Sequence, residues 1–249
     1  MSKKLLSIAS LTGALLLSSG SQKIKALPDK PPELRLPIGL ISQKELAELL
    51  VKILQKILPA TSRVLTDKEE DELSQTIAKT LGIKAVAELD GNRLNHQLGV
   101  MGLEQHLTRF PGDTLKGRSF VQAGMAPNRG AFGYFASAEQ EKYYVAVQTL
   151  YLPDWNAKAK TLKDWYKFRK VLAINPQTGA AVVAVIGDAG PAQWTGKQFG
   201  GSPQVMHDLG FYPQKTAGKT ILLFVDDPED KVPLGSVTAP LFKTKPVLI

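Results

Sequence analysis

"VVAVIGDAGPAQWTGKQFGGSPQVMHDLG", residues 182–210, is the stretch on which the fold turns. It opens as an apolar run of the valine and isoleucine type that suits a strand. It then breaks on Gly187, Asp188, Ala189, Gly190 and Pro191, where the Gly-Pro step forces a turn. Further on, Ser202 stands before Pro203 and Gly210 follows Leu209, which spells a short helix with a serine cap, a proline in the first turn and a closing glycine. Val205, Met206 and Leu209 would face inward. Asp188, at a strand end before a forced turn, has two readings. It accepts backbone amides and holds the loop, or it is a working carboxylate at the mouth of a groove.

The neighbouring segments extend this pattern. Residues 168–174 (FRKVLAI) and 180–186 (AAVVAVI) flank a turn-forming "NPQTG" and read as a hairpin. Residues 142–152 (KYYVAVQTLYL) and 220–226 (TILLFVD) read as two further strands. Between them, Trp155 and Trp165 bracket a basic stretch that reads as an inserted loop anchored by its aromatics.

Upstream the texture is helical. Ser42 with Glu45, and Thr66 with Glu69, are two capping boxes. Leu46, Leu49, Leu50, Ile53, Leu54, Ile57 and Leu58 follow the first at helical spacing. Leu73, Ile77 and Leu81 follow the second, and Gly82 ends it. An α-helical hairpin over residues 40–90 is expected. Residues 22–39 are proline-rich and read as a linker. Residues 1–21 carry two early lysines, an apolar run over 5–17 and then small residues, the pattern of a signal peptide or an N-terminal anchor. The remainder, residues 96–249, forms the β domain.

Composition limits the partners. The 249 residues include no cysteine and carry a formal net charge of +8, so disulfides are excluded and anionic surroundings are favoured. The basic residues are scattered rather than run together. With export expected, to the periplasm, the cell wall or the exterior, this points to wall glycan or membrane surface and away from nucleic acid. The membrane would be met only through an uncleaved N-terminus. Three histidines at unsuitable spacing make a metal site no part of the expectation, and none of the segments calls for a cofactor.

Asn175, Gly179, Val182, Val183, Asp188, Gly190, Pro191, Gly196, Lys197, Ser202, Pro203, Leu209 and Gly210, in this order, resemble the double-psi β-barrel of rare lipoprotein A and the related 3D and expansin-like cell-wall proteins. The resemblance implies a mainly β fold with α elements: a six-stranded double-psi β-barrel preceded by the α-helical hairpin. It also implies a surface groove for a glycan chain, with Asp188 at its lip. Three positions depart from the family pattern. Ala189 replaces an arginine, the segment after Lys197 lacks a second aspartate, and Val147 stands where lytic members carry a histidine.

Glu104, His106, Arg109 and Asp113 crowd one glycine- and proline-flanked segment, a density that marks loops bearing function. Glu104 or His106 would assist Asp188 in catalysis. Trp194, Lys197, Phe199, Arg109 and Asp113 would bind substrate. In the competing reading, Arg109 and Asp113 form a surface ion pair. The expected function is a cell-envelope protein that binds peptidoglycan or a similar wall glycan. The alternatives are a glycan-cleaving enzyme of lytic transglycosylase type using Asp188 as acid, and an envelope protein-interaction platform in which the hairpin meets partner proteins.

Overall fold

The computed structural model describes residues 42–104 and 130–241. Residues 1–39, where a signal segment and a linker are expected, and His106, Arg109 and Asp113 lie outside the described residues.

Two helices come first, α1 (Gln43–Ile57) and α2 (Asp67–Leu81). Both capping boxes form: Ser42 and Thr66 accept from the amides of Glu45 and Glu69, whose carboxylates reach back to the cap amides. Gly82 ends α2 in the left-handed region at φ 68°, a conformation that costs glycine nothing.

The strands are β1 (Ala85–Val86), β2 (Glu88–Leu89), β3 (Asn92–Arg93), β4 (Leu98–Leu103), β5 (Tyr144–Val147), β6 (Lys170–Ile174), β7 (Ala181–Ala189), β8 (Phe199–Gly201), β9 (Ala217–Val225) and β10 (Gly235–Ser236). Six of them close a mixed barrel in the order β4, β8, β5, β7, β6, β9 and back to β4. Two pairings, β4 with β8 and β5 with β7, are parallel. Closure leaves no open edge among these six.

The apolar run of β7 is continuous, not alternating, because both of its faces are buried. Val182, Ala184 and Ile186 point into the barrel beside Val145, Val171, Leu222 and Phe224. Ala181 and Val183 point outward under α1 and α2, where Leu50, Leu54, Leu73 and Ile77 meet Leu172, Ile174, Ile221 and Leu223. The two helices thus cover one outer flank of the barrel. Glu70 of α2, nearly buried, accepts at both carboxylate oxygens from Nη2 of Arg93, at 2.6 and 2.7 Å.

Three local readings are confirmed and two are corrected. The hairpin forms, with β6 antiparallel to β7 around Gly179 at φ 74°. The late strand is β9. The short helix is α5 (Pro203–Asp208), with Ser202 accepting from the Val205 amide and Val205, Met206 and Leu209 fully buried. The strand expected over 142–152 is shorter: α3 (Ala138–Lys142) precedes it, and after Val147 the chain enters a tight turn, Thr149–Tyr151. The basic stretch between the tryptophans is a helix, α4 (Trp155–Tyr166), not a loop. Leu162 and Tyr166, four apart, supply its buried face, while Trp165 packs edge-on against Tyr166 and Phe224 and anchors the end of the helix.

Candidate functional site

Strand register sets the floor of the site. Gly102 of β4 lies opposite Gly200 of β8, Gly200 opposite Ala146 of β5, and Ala146 opposite Asp188 of β7. The row crosses four strands on the outer face of the barrel and holds no long side chain until Asp188.

Asp188 reaches that face through a bulge. Val145 pairs with Ile186 but Ala146 pairs with Asp188, so Gly187 is the extra residue. Strict alternation from inward-facing Ile186 would turn Asp188 into the barrel; the inserted residue turns it out. A Cβ on Gly187 would fall 2.6 Å from the Phe135 ring, so any larger residue would have to displace that ring. Asp188 is half-buried, and its Oδ1 accepts from the amides of Ala131 at 2.7 Å and Ala189 at 2.8 Å. Among the described residues no hydrogen bond reaches Oδ2. The amide-holding reading of Asp188 and an outward-facing carboxylate are therefore both present in one side chain.

Glu104 follows the end of β4. Its side chain lies back over Gly200: a Cβ there would sit 2.5 Å from Glu104 Cδ. Lys197 lies over the neighbouring Gly102, where a Cβ would sit 2.7 Å from its Nζ. The paired glycines are beds for a carboxyl and an ammonium group. Burial first, with the charge of Asp188 adding to it and Lys197 opposing, pushes the Glu104 carboxyl up to about 7. Tyr144, buried on the same outer face, has its phenol raised by burial and then by the charges of Glu104, Asp188 and Glu141.

The sequence-derived candidates thus divide. Glu104, Asp188 and Lys197 are brought together. Trp194 stands in the turn Gln193–Thr195 and is 89 % exposed. Phe199 was expected to meet substrate, but it is 2 % exposed inside the barrel, because its pairing with Met101 and Val147 puts it on the inward face. Its ring packs the core and offers no face to a ligand. Gly102, Gly200 and Gly187 were not anticipated as site residues. Their only sequence signal is glycine inside strand-like runs, which marks a bulge or a close approach.

His207 is elsewhere, exposed, with Nδ1 2.9 Å from Asp208 Oδ1. Asp208 also accepts from Tyr143, Gln204 and Ser236, so the cluster ties α5 to the residue before β5 and to β10. Among the described residues no group of three His, Cys, Asp or Glu side chains is arranged to hold a metal ion, and no helix is long and apolar enough to cross a membrane. A cavity of about 640 Å³ lined by Phe168, Lys170 and Asp227 shares no residue with the site; in it Lys170 is already bound to Asp227, Asp230 and the Val232 carbonyl. Compared with known proteins, the chain matches no family model and no curated protein.

Proposed function

We propose that this chain is an exported cell-envelope protein whose barrel, of the double-psi type, holds peptidoglycan or a similar wall glycan over the strand row ending at Asp188, and cleaves it there. The observation that carries the reading is the Glu104 carboxyl, laid on its glycine bed near Asp188 and lifted to about 7 by burial first and then by the Asp188 charge. Two carboxyl groups whose surroundings set them apart are what glycosidic bond cleavage requires. Glu104, protonated, donates its proton to the glycosidic oxygen. The C1–O bond breaks with its electron pair going to that oxygen, and the positive charge left on the sugar faces Asp188. Water, or a hydroxyl of the sugar itself, then bonds to C1 and returns a proton to Glu104. Lys197 limits the rise at Glu104 so that it both gives and regains the proton near neutral pH.

The test is release of soluble fragments from purified sacculi by the full chain. Glu104→Gln and Asp188→Asn are each expected to lower release at least a hundredfold while retention on sacculi persists. Release unchanged in both variants overturns cleavage at this site.

A second reading, binding without cleavage, is favoured by Val147. It stands where lytic members of the resembled family carry a histidine, and it is 2 % exposed in the barrel interior. In that case sacculi retain the unaltered chain and no fragments appear.

A further inference from the structure

Beside the carboxyl site, the barrel carries an aromatic ledge. The turn Thr149–Tyr151 leaves the end of β5, and the turn Gln193–Thr195 follows the end of β7. Those strand ends are neighbours, with Val147 opposite Ala189 and the Gly190 amide donating to the Val147 carbonyl. Gln148, 6 % exposed, bolts the second turn at both ends: its amide nitrogen donates to the carbonyls of Pro191 at 3.0 Å and Lys197 at 3.1 Å. Tyr151 adds a third tie, its hydroxyl accepting from the Gln193 amide at 3.4 Å. Thr195 Oγ1 closes the turn onto the Ala192 carbonyl at 2.6 Å.

The loop is therefore held by a buried amide and its own hydrogen bonds. Yet it presents Trp194 at 89 % exposure, beside Tyr151 at 41 % and Leu150 at 52 %. Three large apolar side chains exposed on two turns that are tied to each other mark a binding face. Lys197, which ends this loop, is the same residue whose ammonium lies beside Glu104, so the ledge and the carboxyl site share a rim.

We infer that Tyr151 and Trp194 form a stacking subsite for the apolar face of a pyranose ring, one that holds the glycan chain beside the bond placed at Glu104 and Asp188. The inference rests on the glycan reading above. The occupant is a sugar polymer and not a lipid surface, because polar Gln193, Thr195 and Lys197 flank Trp194 and Lys197 leads from it to the carboxyl of Glu104, and an indole or phenol can stack on a ring while polar neighbours meet its hydroxyls.

The test uses the full chain with purified sacculi, a soluble N-acetylglucosamine tetramer, and vesicles of anionic phospholipid. Trp194→Ala and Tyr151→Ala, both surface changes checked for an unaltered circular dichroism spectrum, are each expected to weaken retention on sacculi about tenfold. Tyr151→Phe, which keeps the ring, should weaken it less. The tetramer should change the indole emission of the unaltered chain but not that of Trp194→Phe. Sacculus binding by the unaltered chain that neither alanine variant alters overturns the subsite and leaves the glycan reading standing. No sacculus binding by the unaltered chain overturns both, and loss of vesicle binding alone in Trp194→Ala reassigns the ledge to a membrane surface.

Discussion

Glu104 owes its chemistry to a residue with no side chain. Gly200 lets the carboxyl lie against the barrel wall, where water is scarce and the Asp188 charge is felt. Gly200→Ala is expected to push the carboxyl out into solvent. Its titration midpoint, followed by carboxyl carbon NMR, should then fall from about 7 toward the ordinary glutamate range. A midpoint unmoved by the substitution would mean the glycine bed does not set it. The same elevation makes a stability claim. A carboxyl raised in the folded state favours folding least when ionised, so stability is lost as pH rises from the unfolded value of 4.5 through about 7. The loss approaches about 3 kcal/mol at alkaline pH. Glu104→Gln should therefore melt higher than the parent at pH 8 and alike at pH 4, which thermal scans at the two pH values would check.

At the scale of elements, strand and helix ends were legible because their signals are local. Ser42, Thr66, Ser202, Gly82 and Gly179 each satisfy a cap or turn through neighbours a few residues away, and each does so in the structure. The helix α4 was not legible in this way. Its buried face is only Leu162 and Tyr166, and the lysines around them imitate a loop. Nor was the orientation of Phe199, since a three-residue strand carries too little alternation to show which face is inward. The packing of α1 gives a direct test. Leu50 is fully buried between the helices and the barrel, so Leu50→Ala should lose about 3 kcal/mol in denaturant unfolding, and a loss under 1 kcal/mol would deny that packing.

For the whole molecule, closure of the barrel brings together groups far apart in the chain. Lys170 at the start of β6 is bound by Asp227 at 2.9 Å and by the Val232 carbonyl at 2.6 Å, which pins the segment after β9. Burial works against the Asp227 carboxylate, but the amides of Val232 and Lys231 and the Lys170 ammonium outweigh it and hold the group below its usual range. That stability is present above the unfolded aspartate value and is lost as pH falls below it. Asp227→Asn should flatten the acid limb of the stability curve in urea titrations; a limb unchanged in slope would show that the clip is not what fails in acid.

The sequence by itself determined the caps, the turns, the strand and helix candidates and the prominence of Asp188, because each depends on atoms within a few residues along the chain. Only the tertiary structure decided that Asp188 faces outward, that Glu104 and Lys197 lie on paired glycines, and that Phe199 belongs to the core. Those outcomes depend on strand register and on one bulge. Register is set by which strands meet around a closed ring, and a shift of a single residue exchanges the two faces of a strand.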